Sequence, residues 1–459
     1  MVRKPQPLQA VPAVVVEHIA EYVSSPAAFF RLLRAVGASR WTTPLQCAMH
    51  LATCMTEDAL WPHVSLHDAA RAQPDVRSLV GFLRWHPYCR VGQGHLTLLN
   101  RLPPSLQPLE ALLRSSVWLL LELDGVTVSQ IHHVLLHHGH RVQSLVLGLN
   151  EPPNVPLTAL TLGRLATAIG HCVHATQLHV HIHHPQWRGR DIDPILHRLQ
   201  DTNIVDFHLH ASMFHGDLLS DSGSYALVAW LFQVPVTSFA WLDPEPCHSK
   251  ELSPAARRLA TALAASRTLR TLDLSQSTIL LEAFVQRPLP RTLRALRIEY
   301  PHAPSLYTTQ LKSQLATARI ASLDLSWHPS PNVLMLLGPN LAQLTTLNLS
   351  HCYLMIRGSR ALSPLLPTLR ALQHLVLSAN DLFDDGIVAI LPGLVGCSAL
   401  ETLCLDRNQL TDKSLAATVK TCRLCKQLRH IDLSDNLYTD ETVQRLHKKP
   451  TVISRVCAI

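Results

Sequence analysis

At 459 residues and 51.0 kDa, with 47% hydrophobic and 16% charged residues, the chain carries enough apolar material for a large core and too little charge for disorder. The formal charge of +7 comes from Lys and Arg spread thinly, in no run longer than two, which describes a solvated basic surface and argues against a nucleic-acid partner. No apolar run approaches the roughly 18 residues that span a bilayer; VWLLLEL (117–123) stops at Asp124, so no membrane segment is expected.

Residues 1–10 read as a flexible tail. In the following VPAVVVEHIAEYVSS the apolar run is broken by Pro12 and closed by Glu17 and His18, a poor signal peptide. Val11, Val15, Ile19, Tyr22 and Val23 instead mark one face of an amphipathic helix. Ser25 is placed to cap a second helix with Pro26 at its first position, where a missing N–H costs nothing. Phe29, Phe30, Leu32, Leu33 and Val36 fill that helix. This order, an apolar–Pro start, an apolar helix, a short break and a Leu-rich helix before Trp41, resembles an F-box over residues 11–50. ALWPHVSL (59–66) is similar to the LW…V.L stretch that often follows one. The chain departs from the family where V-C-x-x-W is common and AVGASRW stands here. The resemblance implies an all-α module whose adaptor-facing residues are Val11, Pro12, Val15, Ile19, Tyr22 and Leu32. The alternative is a helical cap over the apolar edge of the repeats that follow. Residues 51–111 are expected to be a helical connector.

From 112 to 448 the chain repeats itself. Loose copies come first: SVWLLLE (116–122), VQSLVLG (142–148), ATQLHVH (175–181), IVDFHLH (204–210), VTSFAWL (236–242), LRTLDLS (269–275), LRALRIE (293–299) and IASLDLS (320–326), spaced 24 to 33 residues apart. Then LTTLNLSHCYL (344–354), LQHLVLSANDL (372–382), LETLCLDRNQL (400–410) and LRHIDLSDNLY (428–438) begin 28 residues apart and share L-x-x-L-x-L-x-x-N/C-x-L. Leu375 and Leu377, or Leu403 and Leu405, are two apart and so share the inner face of a short strand. Cys352, Asn380, Asn408 and Asn436 fall at the turn, where an amide bonds the backbone of neighbouring coils and a small thiol packs. Asp384, Asp412 and Asp440 sit near helix starts, and Ile387, Leu415 and Val443, with Ile390, Leu391 and Leu394, continue as a helical stripe. The pattern resembles the leucine-rich repeat, and its period the ribonuclease-inhibitor-like subclass. That implies an α/β solenoid, a horseshoe of eleven or twelve repeats, with 449–459 a C-terminal tail. No single unit buries its own apolar face; stacked neighbours do.

Two of the copies are rich in histidine: Leu178 to Trp187 reads LHVHIHHPQW, and Phe207 to Phe214 reads FHLHASMF. A strand places alternate side chains on one face, so Leu178, Val180, Phe207 and Leu209 point inward. His179 then lies beside His208, and His181 beside His210, exposed on the concave face. Parallel strands are about 4.8 Å apart, near enough for imidazoles to share an ion, but the pattern supplies no groups to orient metal-binding rings. A neutral solvated patch is expected, without metal. Cys422 and Cys425 form a lone C-x-x-C, yet the repeat register puts both at packing positions. The eleven cysteines show no dense framework, which fits free thiols in the cytoplasm or nucleus.

Phosphate-loop, nucleophile-elbow and H-E-x-x-H motifs are absent, and 17 glycines leave few loops to cradle a phosphate. Asp273, Asp324 and Asp432 stand in L-D-L-S motifs on the outward side of strands, a repeat apart, too dispersed for paired acid–base chemistry. With Asn348, Asp406, Trp327 and the four histidines they form the candidate substrate-contact set of the concave face. The expected function is protein recognition, with no catalysis and no cofactor. The F-box resemblance implies a substrate-receptor subunit of an SCF-type cullin–RING ubiquitin ligase, its partners the adaptor subunit and a protein substrate. Arrays of this period also resemble the GTPase-activating protein of the small GTPase Ran, and a scaffold or inhibitor that only binds is the third reading.

Overall fold

Apolar residues two apart make strands, and the stretches between them carry helical stripes; the computed structural model shows how the two alternate. It describes residues 13–21, 23–92, 102–109, 117–149, 151, 157–215, 219–242, 253–299, 305–328, 331–338, 341–439 and 441. The two tails, and the expectations placed on Val11, Pro12, Tyr22, Asp440 and Val443, lie outside the described residues. The chain divides into two compact units, residues 1–184 with 201–204, and residues 185–200 with 205–459.

The first unit opens with helices α1 (Ala13–Glu21), α2 (Pro26–Val36), α3 (Thr43–Leu51), α4 (Glu57–Leu60), α5 (Leu66–Ala72) and α6 (Val76–Trp85). Ser25 Oγ accepts the Ala28 N–H at the start of α2, and Pro26 is its first residue. The centre is aromatic: Trp61 stacks on Phe29 at 4.0 Å and on His86 at 4.4 Å, and its Nε1 donates to the Val23 carbonyl. Truncation of such a buried ring costs about 3–5 kcal/mol. Leu60, Trp61, Val64 and Leu66, the LW…V.L residues, are all buried here.

Parallel strands follow in sequence order: β1 (Val64–Ser65), β2 (Tyr88–Gly92), β3 (Trp118–Val126), β4 (Val142–Leu149) and β5 (Gln177–Arg188). Helix α7 (Val128–His138) follows β3 and α8 (Ala159–Ile169) follows β4. Strands β1 and β2 correct the expectation of a helical connector, because the sheet begins inside 51–111. Neither strand carries the leucine pattern; each is recruited by pairing, Val64 against Cys89 and Cys89 against Leu119.

The second unit continues strictly as strand and helix. It comprises α9 (Asp193–Leu199), β6 (Asp206–His215), α10 (Asp221–Gln233), β7 (Ser238–Leu242), α11 (Pro254–Ala265), β8 (Thr271–Asp273), α12 (Thr278–Val285), β9 (Ala295–Arg297) and α13 (Ser305–Leu315). Then come β10 (Ser322–Asp324), a 3-10 turn (Pro331–Leu336), β11 (Thr346–Asn348), α14 (Met355–Leu362), β12 (His374–Val376), α15 (Phe383–Val395), β13 (Thr402–Cys404), α16 (Asp412–Leu424) and β14 (His430–Asp432). From β6 to β14 each strand pairs in parallel with the next. Register stacks Leu272, Leu296, Leu323, Leu347, Leu375, Leu403 and Ile431 in one row, all buried. This is an α/β leucine-rich-repeat solenoid. Along α16 the inward positions are Ser414, Thr418 and Cys422, while Leu415, expected in the core, is only half-buried. Among the described residues no helix is long and apolar enough to cross a membrane.

Candidate functional site

A ladder of turn residues holds the strands of the second unit in place. Asn380 Nδ2 donates to the carbonyls of Leu349 (2.7 Å) and Leu377 (3.0 Å), and its Oδ1 accepts the Cys352 N–H (2.9 Å). Asn408 repeats this with Leu377, Leu405 and the Asn380 N–H, and Asn436 with Leu405, Leu433 and the Asn408 N–H. Cys352 fills the same rung with sulfur: Sγ donates to the Leu325 carbonyl at 3.2 Å and accepts the His328 N–H. His328 is the rung before it, with Nδ1 2.9 Å from the Leu325 carbonyl, and burial lowers its pKa. The sequence pattern admitted only Asn or Cys there and passed over this histidine.

With the leucines turned inward, the alternate residues face outward. Asp273 Oδ1 accepts the Ser275 N–H at 2.9 Å, Asp324 Oδ1 that of Ser326 at 3.0 Å, Asn348 Oδ1 that of Ser350 at 3.0 Å, and Asp432 Oδ1 that of Ser434 at 2.9 Å. The L-D-L-S motif is therefore a turn device, an Asx side chain closing on the amide two residues on. Asp406 accepts the Ser378 hydroxyl. All five are half-buried, so their outer edges remain open to solvent.

Two residues not singled out from the sequence join this set. Arg297 projects from β9 between three carboxylates: Nε is 3.8 Å from Asp273 Oδ2 and 3.5 Å from Asp324 Oδ2, and Nη2 is 3.5 Å from Glu299 Oε2. Their signal was the register itself, since LRALRIE places Arg297 level with Asp273 and Asp324. Trp327 is 48% exposed, at a φ of 62°, with its N–H bonded to the Ser350 carbonyl. Its indole lies flat on the imidazole of His351, centroids 3.8 Å apart and planes 5° from parallel. Beyond His351 on the same turn, Tyr353 and Met355 are exposed, and Phe383 is exposed at the corresponding position of the next repeat.

The histidines take their places one unit at a time. His179 and His181 lie on β5, level with Val146 and Gly148 of β4; His181 is exposed, whereas His179 is half-buried. His208 and His210 lie on β6 of the second unit, half-buried rather than exposed. His208 Nε2 is 2.9 Å from Ser238 Oγ and 3.0 Å from Asp206 Oδ1. Both C-x-x-C thiols are buried, and burial pushes Cys422 up to about 12 and raises Cys425, whose Sγ lies 3.5 Å from the Leu394 carbonyl. At the N-terminus α1 turns Val16 and Ala20 inward and leaves Val14 (73%), Val15 (44%) and Ile19 (44%) exposed, while Leu32 on α2 is half-buried. A groove of about 580 Å³ between the ends of α10 and α11, lined by Phe232, Pro235 and Thr268, has Arg267 as its one ionisable lining residue.

No protein-family model and no curated protein matches the chain. Among solved structures it is similar to a chain of the yeast Rad7 and Elc1 complex, at 13% identity over 90% of this chain and 86% of that one, with a TM-score of 0.47. An internalin, inlF of Listeria monocytogenes, shows 15% identity over 72% and 78%, with a TM-score of 0.35. The leucine-rich repeat-containing protein LegL7 of Legionella pneumophila shows 16% identity over 66% and 86%, with a TM-score of 0.36. Likenesses this distant carry nothing about partners.

Proposed function

We propose that the chain is a non-catalytic protein-recognition subunit, a substrate receptor of an SCF-type cullin–RING ubiquitin ligase acting in the cytoplasm or nucleus. It binds its target on the outward strand face of the solenoid and its adaptor through the N-terminal helices. The observation that carries the recognition reading is the outward face itself. Polar side chains anchored by turn bonds, Asp324 and Asn348, lead into an exposed indole, Trp327, pre-stacked on the half-buried His351, and rigid exposed aromatics are the residues that dominate interface energetics. What supports the adaptor reading is the apolar stripe Val14, Val15 and Ile19, left uncovered on a helix whose opposite side is already packed. A cap that served only to shield an apolar edge would turn such residues inward.

The test is co-purification of the full chain with the cullin-ligase adaptor. Val15→Asp with Ile19→Asp is expected to abolish capture and leave the thermal unfolding of the chain unchanged. Wild-type protein that captures no adaptor refutes the ligase assignment and leaves recognition by the solenoid to be judged on its own.

A further inference from the structure

The exposed aromatic ridge of the second unit begins three residues after Asp324, beside a predominantly acidic patch. Along the described outward positions from β8 to β14, Asp273, Glu299, Asp324, Asp406 and Asp432 are set against one cation, Arg297. Arg407, further round the turn, is already paired with Asp435 at 3.0 Å. This acidity occurs in a chain whose formal charge is +7. The carboxylates are pinned by neighbours of this face: Gln276 Nε2 donates to Glu299 Oε1 at 2.9 Å, and Asn348 Nδ2 to Asp324 Oδ2 at 3.1 Å. Arg297 reaches none of the three around it closer than 3.5 Å. One guanidinium held loosely among three carboxylates leaves the patch negative.

Next to it, Trp327 offers an indole whose orientation is fixed from below by His351 and by the backbone bond to Ser350. An indole face is the strongest of the aromatic cation acceptors. Tyr353, 55% exposed, and Met355, 50% exposed, extend the ridge with apolar surface. A partner covering this region has to desolvate the ridge and bring positive charge to the carboxylates; an acidic or neutral segment satisfies only the first requirement.

We propose that the Trp327–His351–Tyr353–Met355 ridge and the Asp273–Glu299–Asp324 cluster form one docking surface for a Lys/Arg-bearing segment of a partner protein, a cationic side chain seating between the carboxylates and the indole. The proposal rests on the protein-recognition reading of this face and is independent of the adaptor.

The experiment selects peptides from a random display library on the immobilised full-length chain and measures the recovered peptides by fluorescence anisotropy. Three variants are compared: Trp327→Ala, Tyr353→Ser, and the pair Glu299→Gln with Asp324→Asn, whose amides keep the acceptor atoms that the turns use. Matched thermal unfolding checks that each variant folds, and the two aromatic variants are read independently, so that loss of one to misfolding leaves the other. The expected result is enrichment of Lys/Arg next to an apolar residue, affinity falling about tenfold or more in the variants, and binding that weakens as salt rises. Acidic or neutral peptides, or basic peptides indifferent to all the folded variants, overturn the proposal while recognition by the chain stands. No enrichment at all overturns the recognition reading with it. A dimer of the chain that dissociates on Trp327→Ala makes the occupant a second copy, and the proposal fails.

Discussion

Asn408 offers the sharpest test of how the solenoid is held together. It is fully buried, its Oδ1 accepts the Asn380 N–H at 2.9 Å, and its Nδ2 donates to the carbonyls of Leu377 (2.8 Å), Leu405 (3.0 Å) and Asp406 (3.0 Å). Substitution by Ala does not orphan all of these. Leu377 O keeps the Asn380 Nδ2 bond and Leu405 O keeps that from Asn436. The Asn380 N–H, by contrast, loses its acceptor. One buried orphan donor costs about 1–3 kcal/mol, and the donor bonds lost elsewhere add roughly 0.5–1.5 kcal/mol each. Asn408→Ala is therefore expected to destabilise by about 3 kcal/mol, within a range of roughly 2–5. Asn408→Cys copies the rung at Cys352, which still donates and accepts through sulfur, and should cost about half as much. Asn408→Asp keeps the acceptor but aims a buried carboxylate at three carbonyls, and should be the worst of the three. Urea denaturation orders the variants, and native-state hydrogen exchange at the Asn380 amide locates the damage. A loss below about 0.5 kcal/mol for Ala, or Asp outperforming Ala, would refute the ladder as a stabilising element.

Leu405→Ala, at a fully buried position, should cost about 2–5 kcal/mol; a change under about 0.5 in denaturation would mean that the strand register is wrong. Gly393→Ala would put a methyl 2.2 Å from the Ser363 carbonyl oxygen, so a loss of about 1–3 kcal/mol is expected from overpacking, and an unchanged midpoint would contradict that close approach of α15. His63 is held down to about 4 by burial, with the charges of His86 and Arg90 adding to it. The unfolded chain takes up that proton first, near 6.5, so the stability from neutral His63 is complete above pH 6.5 and drains away as pH falls towards 4. His63→Gln should flatten the acid limb of a stability–pH curve, and an unaltered limb counts against it. At His328, also lowered by burial, Asn should serve as the ladder residue at neutral pH and remove the acid sensitivity; a variant much less stable than wild type at pH 7 would show that the imidazole is not an Asn substitute.

How far the sequence could be read depended on the chemistry of each repeat. Where Asn or Cys occupies the turn, as after β11 to β14, period and register are plain. Strands β3 to β6 lack that residue and run on for nine, eight, twelve and ten residues, so their copies looked loose although Leu119 and Leu121, Leu145 and Leu147, Leu178 and Val180, and Phe207 and Leu209 keep the inward alternation. Strands β1 and β2 were invisible because two to five residues without leucines become strand only by pairing, β2 with β3 and β1 with β2. Of the candidate site, the outward aspartates were legible from alternation, and Trp327 as an aromatic next to their face. Arg297 and Glu299 were not, because what marks them is position relative to neighbours two repeats apart. The exposed stripe of α1 was legible as an apolar face, but which valines turn inward depended on α2: burying Val16 and Ala20 leaves Val15 and Ile19 outside.

The turn chemistry also separates what the fold requires of the strand face from what it leaves open. At position 348 an amide closes the turn as well as the carboxylates at 273, 324 and 432 do, with the same 2.9–3.0 Å bond to a serine N–H. Negative charge is therefore not needed for the turn, and the acidity of this face is no by-product of folding. Exposed arginines stand around the same strands, Arg270, Arg294 and Arg429 at strand entries and Arg407 at a turn, so the negative charge is confined to the outward strand positions themselves. A basic ligand approaching this face is guided to the outward carboxylates, not to the strand side as a whole. Exchanging Asp273 and Asp324 for Asn should thus leave the unfolding midpoint where it is while slowing association with a basic ligand, a separation of stability from binding that an acidic face serving only the fold would not produce.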